Sequence, residues 1–346
     1  MLPPTVAVIG SHSALQILRG AKQEGLRTLL ICLKGRERLY DRFRLADRTV
    51  SVDSVEAILE DGIQDLLEEE GAVFVPHGTL ISGGRLEDLE KRFRPRIFGN
   101  RFIFKWEYDR DLKDRLLREA GIRTPKKLCS YSEIDGPAIV KLPGAEGGRG
   151  YFIAKSPKDF EAKIRQLTDK GLISKGEEER VFIQEYIIGV PVYPHFFWSV
   201  IEGRLELMGC DRRYETSIDA IGRITAEDQL ELGITPTFRV IGNMPLVLRE
   251  SLLMDVFDDG EKFVSAAERL VPPGMIGPFC LEMICDEEGK LYTFEFSGRI
   301  VAGTNLFVSG SPYSDLLFDE PMSMGRRIAR EIKAASELGV IEKVTT

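Results

Sequence analysis

The feature that most constrains the fold is the switching of hydrophobic period along residues 1–100. Thr5 to Ile9 reads as a buried strand, and Ser13 to Glu24 as a helix that carries Ala14, Leu15, Leu18 and Ala21 on one face before Gly25 stops it. Leu26 to Cys32 is the next strand. Val50 to Val52, a helix from Ser54 with Val55, Ile58, Leu59, Ile63 and Leu66 inward, and Ala72 to Val75 continue the alternation. Strands separated by helices specify a parallel, Rossmann-like sheet, whose ligands gather beyond the carboxyl ends of the strands.

The pattern then changes. A charged helix is expected from about Ile103 to Ala120, and after Gly121 to Pro125 the chain turns to short strands with Gly and Pro turns. Ala138 to Leu142, Tyr151 to Ala154, Val181 to Ile187, His195 to Val200 and Leu205 to Cys210 read as a mainly antiparallel region, interrupted by a helix from Asp159 to Lys170. Arg249 to Leu270 and Pro321 to Leu338 read as further helices, the latter striped by Met324, Ile328, Ile332 and Ala335. The expected class is therefore α/β followed by α+β, with a boundary between residues 1–121 and 122–346. No repeat or low-complexity tract is seen.

Composition excludes several functions. A net charge of −8 argues against a nucleic-acid partner, because such binding draws on phosphate neutralisation. No apolar run approaches the roughly 18 residues that span a bilayer, and no basic segment precedes the short apolar stretch at the start, so a cytoplasmic protein with no membrane partner is expected. Cys32, Cys129, Cys210, Cys280 and Cys285 have no C-x-x-C spacing and suit reduced packing residues. With only His12, His77 and His195 in the chain, a histidine-rich metal centre is excluded, and any metal should be oxygen-ligated.

Three stretches carry chemistry. In Lys141-Leu-Pro-Gly144-Ala-Glu-Gly147-Gly148-Arg149-Gly150 a strand ends in lysine and runs into a glycine-rich loop, which suits phosphates cradled by backbone N–H groups; a flexible hairpin with a solvated lysine is the competing reading. The run Glu282-Met-Ile-Cys-Asp-Glu-Glu-Gly289-Lys-Leu-Tyr-Thr-Phe-Glu295 reads as a β-hairpin. A four-residue loop, Glu287 to Lys290, sets Glu282 opposite Glu295, with Thr293 and Ser297 on that face and Leu281, Met283, Phe294 and Phe296 toward the core. Opposed carboxylates about 5 Å apart at Cβ call for a cation such as magnesium between them, the alternative being a solvated acidic face. The apolar strand around Gln184, Glu185, Tyr186 and Ile187 suits an adenine slot or an ordinary core strand.

In this order, a Rossmann-like unit, a lysine-glycine loop, a Gln-Glu-Tyr-Ile hinge and a terminal glutamate pair, the sequence resembles the ATP-grasp superfamily. Over residues 6–333 it resembles more narrowly the archaeal formate-dependent 5-formaminoimidazole-4-carboxamide ribonucleotide synthetase family. The resemblance rests on Gly-Ser-His-Ser-Ala-Leu-Gln-Ile-Leu (10–18), Asp-Arg-Arg-Tyr-Glu (211–215), Pro-Pro-Gly-Met-Ile-Gly-Pro-Phe-Cys-Leu-Glu (272–282), Arg-Ile-Val-Ala-Gly-Thr-Asn (299–305) and Met-Gly-Arg-Arg-Ile-Ala-Arg-Glu-Ile (324–332).

That resemblance implies an ATP-grasp fold, with a lid subdomain over residues 126–188 and a larger subdomain over 189–346. It implies a ligase that uses ATP and Mg2+ (or Mn2+) to join formate to 5-aminoimidazole-4-carboxamide ribonucleotide (AICAR) in purine biosynthesis, giving the formamido nucleotide (FAICAR), ADP and phosphate. Homo-oligomeric assembly is expected. The implied ATP contacts are Lys141, Gly144, Gly147, Gly148, Gly150, Gln184, Glu185, Tyr186, Ile187 and Glu215, and the metal ligands are Glu282 and Glu295. The acceptor nucleotide falls to Gly10, Ser11, His12, Ser13, His77, Thr79 and Asn243, with Thr79 standing where the family has serine. Arg299 is the candidate for formate or its acyl phosphate and, with Lys141, for catalysis; its competing role is an ion pair with a hairpin glutamate. A ligase with another carboxylate or amine, and a nucleotide sensor without turnover, remain as alternatives.

Overall fold

A computed structural model describes residues 3–81, 86–142, 150–169, 171, 173, 180–233 and 238–346. The first sheet is parallel, with β1 (Thr5–Ile9), β2 (Arg27–Leu33), β3 (Arg48–Val52), β4 (Ala72–Phe74) and β5 (Arg96–Ile97) in the order β3-β2-β1-β4-β5. Every residue of β1 is buried, as expected of a central parallel strand covered on both faces. The order reverses between β1 and β4, so the turns that leave these two strands, with His12 and His77, meet at the switch point. The helix Met324–Glu337 returns to pack on the Ala14–Gln23 helix, and Thr346 pairs with Ile97 through both backbone bonds.

The second sheet is small and antiparallel. It orders β6 (Lys127–Leu128), β9 (Phe182–Glu185), β7 (Ala138–Lys141) and β8 (Tyr151–Ala154) side by side, backed by the helix Pro157–Asp169. The third is antiparallel, with β10 (Gly189–Ser199), β11 (Arg204–Glu215), β12 (Val240–Pro245), β13 (Gly277–Asp286) and β14 (Leu291–Ser297) in the order β12-β11-β10-β13-β14. Its two faces divide the labour. Phe196, Leu207, Phe279, Leu281, Met283 and Phe296 pack with Val256 and Phe263 of the helix Glu250–Leu270, and the alternating residues of the other face build the site.

Several expected elements shift. The helix expected over 103–120 is two, Ile103–Tyr108 and Arg110–Glu119, because Asp109 turns extended and caps the second by accepting from the N–H groups of Asp111 and Leu112. The helix expected from Ser54 is a 3-10 turn, Val55–Leu59, followed by a helix, Asp61–Glu69. β11 does not stop at Cys210 but runs to Glu215, paired by the unexpected β12. No helix among the described residues is long and apolar enough to cross a membrane.

Candidate active site

The β13–β14 hairpin sets two carboxylates face to face. Glu282 pairs with Glu295, as the sequence predicts, but by a different route. Lys290 accepts from the Asp286 N–H, so the turn is one residue tighter than expected, and a bulge between Glu282 and Met283 restores the glutamate pairing. The bulge also corrects the facing of two neighbours. Thr293 stands opposite the core residue Met283, while Phe294 turns to within 5.8 Å of the Lys141 ammonium.

Each glutamate carries its own cation. Arg213, two residues before the end of β11, ion-pairs with Glu282, and Lys113 of the helix Arg110–Glu119 pairs with Glu295. Burial pushes the Glu282 carboxyl up while Arg213 opposes it; burial would raise Glu295 too, but Lys113 and Lys141 hold it low. Glu282 is 4% exposed, and its Oε2 has no hydrogen-bond partner among the described residues. A buried carboxylate oxygen without a partner is costly, and a hard cation shared with Glu295 would satisfy it. The donor set therefore fits a magnesium or manganese ion. No cluster of three or more His, Cys, Asp or Glu suited to a metal occurs among the described residues, so these two glutamates are the acidic ligands that the described residues offer here.

Cations crowd the same face. Lys141 ends β7 with its ammonium pushed toward neutrality by burial, opposed by Glu295. Arg213 stacks over Tyr193 at 4.5 Å and also acts electrostatically on Glu215, whose carboxyl is raised by burial. Burial raises the half-buried phenol of Tyr151, with Glu215 and then Tyr186 adding to it, so the end of the hinge segment lies near the Glu215 end of the site. Gln184 is an interior β9 residue opposite Lys127 and Ile139, whereas Glu185 and Tyr186 are exposed and Ile187 is half-buried. The Leu142 N–H bonds the Gly150 carbonyl at 2.8 Å at the base of the glycine loop. Gly144, Gly147 and Gly148 lie outside the described residues.

Across the site, the turns from the first sheet bring His12, His77 and Arg299 together. The imidazoles of His12 and His77 stack with centroids 5.7 Å apart. Gly78 lies close against this group, since a Cβ there would lie 3.1 Å from His12 Nε2 and 3.5 Å from Arg299 Cζ. His77 donates from Nε2 to the Ile9 carbonyl, which leaves Nδ1 to accept from the Thr79 N–H at 3.4 Å. Burial followed by Arg299 pushes the fully enclosed His77 to about 4, whereas His12 keeps an exposed edge and is lowered by the partial desolvation of its ring, with Arg299, His77 and Arg213 adding to it. His12 is also held at φ 49°, a left-handed conformation uncommon for a side-chain-bearing residue, while Asn305 donates to its carbonyl at 3.1 Å. Gly10, Ser11 and Ser13 complete this turn, and Ser13 is fully buried beside the His12 ring.

Arg299 does pair with a glutamate, but not one of the hairpin. Its partner is Glu107 of the helix Ile103–Tyr108, at 2.8 Å, and Glu107 also accepts from the Gly298 N–H. The Arg299 Nε remains buried without a partner among the described residues. Asn243 lies within β12 directly opposite Arg213, so it is a strand residue rather than part of a turn before Pro245. Sequence reasoning missed Lys113, Arg213, Glu107, Asp211 and His195. A signal existed for Lys113, which shares the buried stripe of its helix with Leu116 and Leu117, and for Asp211 and Arg213, which alternate with Glu215 along β11.

The comparisons agree along the chain. Residues 159–346 match a domain of unknown function (DUF1297), and residues 6–128 match a protein of unknown function (DUF1246). The chain is 49% identical over 342 residues to the 5-formaminoimidazole-4-carboxamide-1-(beta)-D-ribofuranosyl 5'-monophosphate synthetase of Nitrosopumilus maritimus, with 99% of each chain covered. It is 48% identical over 340 residues to the protein so named in Methanocaldococcus jannaschii, covering 98% of this chain and 94% of that one. Among solved structures, an IMP biosynthesis protein PurP from Thermococcus kodakaraensis superimposes with a TM-score of 0.74 at 32% identity, covering 99% of this chain and 100% of that one. An ADP complex of N5-carboxyaminoimidazole ribonucleotide synthetase superimposes with a TM-score of 0.67 at 14% identity over 96% of this chain and 78% of that one, a likeness of fold alone.

Proposed function

The chain belongs to the 5-formaminoimidazole-4-carboxamide ribonucleotide synthetase family of ATP-grasp proteins, and on that premise we propose that it is an ADP-forming ligase that couples formate to the 5-amino group of AICAR. The observation that carries this reading is the opposed Glu282–Glu295 pair, whose buried Glu282 Oε2 has no partner among the described residues, set on one sheet face with Arg213 and approached by Lys141 from the end of β7 in the second sheet. Residues 1–121 then supply the acceptor turns, residues 126–188 the lid and 189–346 the carboxylates.

ATP would lie between the second and third sheets. Lys141 and the glycine loop, including Gly144, Gly147, Gly148 and Gly150, would take the phosphates, the segment Gln184 to Ile187 the adenine, and Glu215 the ribose. Glu282 and Glu295 would hold a magnesium or manganese ion, which supplies charge neutralisation to the phosphates. Formate attacks the γ-phosphorus, the bond to the β-phosphate bridging oxygen breaks, and ADP leaves. The amine nitrogen of the acceptor then attacks the formyl carbon of formyl phosphate, and phosphate and a proton are released. Neither step needs a covalent protein nucleophile, so the side chains work by positioning and by opposing charge.

Arg299, oriented by Glu107 and with a buried unpartnered N–H, suits the formate carboxylate or the acyl phosphate. His12, His77, Thr79 and Asn243 would bind the ribonucleotide from the first-sheet side and from β12. Neutral imidazoles suit hydrogen bonding to a neutral base or a ribose as well as to phosphate. The test is incubation with ATP, magnesium, formate and AICAR, with the nucleotide product read by mass spectrometry. Formation of the formamido nucleotide with one ADP per product supports the reading, and ADP release without that product counts against it.

A further inference from the structure

Asn243, half-buried in β12, is one corner of a polar chain whose other members, the buried Asp211 and His195, the mechanism above does not use. Its Nδ2 donates to Asp211 Oδ2 at 2.6 Å, and the other oxygen, Asp211 Oδ1, accepts from His195 Nε2 at 2.8 Å. Asp211 and His195 are each 1% exposed. A bulge at His195–Phe196 in β10 sets His195 against β11, and the turn after Arg299 closes over the pair. A Cβ at Gly303 would lie 2.3 Å from Asp211 Oδ1 and 2.8 Å from His195 Cε1, so only glycine lets that turn seal the site. The same turn supplies Asn305, which holds the His12 carbonyl.

The chemistry of this chain is directional. A carboxylate only accepts, so the carboxamide atom facing Asp211 must be the Asn243 nitrogen, and Oδ1 must face the other way. A free asparagine could reverse its amide and offer N–H instead. Asp211 cannot rotate to permit this, since both of its oxygens are engaged and it is walled in by Gly303. The Asn243 Oδ1 has no protein partner among the described residues, and Asn243 shares its sheet face with Arg213 and, through it, with the Glu282 end of the site.

We infer that Asp211, held by His195, fixes the Asn243 carboxamide so that its oxygen selects an acceptor base presenting an N–H donor. Asp211 and His195 are thus positioning residues for specificity. The inference rests on the acceptor reading of Asn243 given above, and the N–H could belong to the carboxamide or to the 5-amino group of the ribonucleotide.

The experiment is calorimetric titration of the full chain with AICAR and two analogues, one with a nitrile in place of the carboxamide and one lacking the 5-amino group. In the wild type, at least one analogue should bind about tenfold or more weakly than the parent, because it leaves the Asn243 oxygen unpaired beneath the bound nucleotide, and which one does so identifies the donor. In Asp211→Asn, whose own amide can face Asn243 either way, that penalty should shrink to within about threefold. His195→Gln should shrink it in the same direction, which serves if Asp211→Asn does not fold. Analogues that bind the wild type like the parent overturn the inference alone, as does a penalty that persists in full in a folded variant. Failure of AICAR itself to bind overturns the underlying reading and the inference with it.

Discussion

Glu282 and Glu295 face each other across the last two strands, and each is neutralised by a different cation brought from a different element, Arg213 from β11 and Lys113 from the helix Arg110–Glu119. The arrangement lets the chain fold with two carboxylates in close opposition before any ligand arrives. It also leaves Glu282 Oε2 without a partner among the described residues, so the protein's own cations hold the pair together without saturating it.

Glu295→Gln should therefore lower turnover by at least about a hundredfold while the fold persists, because it removes one anionic oxygen from the pair proposed to share a cation. Steady-state rates at limiting magnesium and a ligand-free melting curve check this. Unchanged activity would remove Glu295 from the metal site.

Arg213→Met leaves Glu282 buried with no counter-charge. Loss of one partner from a buried pair costs about 3 kcal/mol, somewhat less here because Arg213 is about one-third exposed. The variant should melt earlier than the wild type and bind Mn2+ in the absence of nucleotide about tenfold more tightly, since the ion no longer competes with a guanidinium. Electron paramagnetic resonance titration reads the second effect, and Mn2+ affinity at or below that of the wild type would show that Arg213 does not oppose the ion.

Lys141→Ala should weaken ATP binding much more than AICAR binding. The lysine ends β7 beside Glu295 and Phe294, while the acceptor turns come from the first sheet. Separate titrations with the two ligands check it; equal losses would place Lys141 elsewhere.

Acid should destabilise the fold through His77. Burial holds it near 4, below the value of about 6.5 that an imidazole has in an unfolded chain. Above that pH both states are neutral. As the pH falls from about 6.5 toward 4, the unfolded chain takes up a proton that the folded one refuses, so stability drops by up to about 1.4 kcal/mol per pH unit through this imidazole. His77→Gln should flatten the fall in melting temperature over this window, and curves that run parallel for variant and wild type would sink the assignment.

How much of this was legible depended on range. The Rossmann-like alternation in residues 3–81 and the Glu282–Glu295 opposition follow from local period, and both stand in the structure. The hairpin shows why local reasoning was right about the glutamates and wrong about Thr293 and Phe294: pairing can be restored by a bulge that no alternation pattern announces. A buried-stripe signal marked Lys113, but neither its pairing with Glu295 nor that of Glu107 with Arg299 was legible, because the partners lie more than 180 positions apart in sequence. Nothing in the sequence around His195 announces Asp211, since a bulge and strand pairing bring them together.

The most direct test of the central claim is to run the reaction with formate carrying 18O in both oxygens and to follow the label. If formate attacks ATP and the amine then displaces phosphate from formyl phosphate, one labelled oxygen must appear in inorganic phosphate and the other in the formamido group of the product. Label retained in formate, or phosphate released without any 18O while the formamido nucleotide forms, would contradict the acyl phosphate route and with it the roles given to Arg299, Lys141 and the glutamate pair.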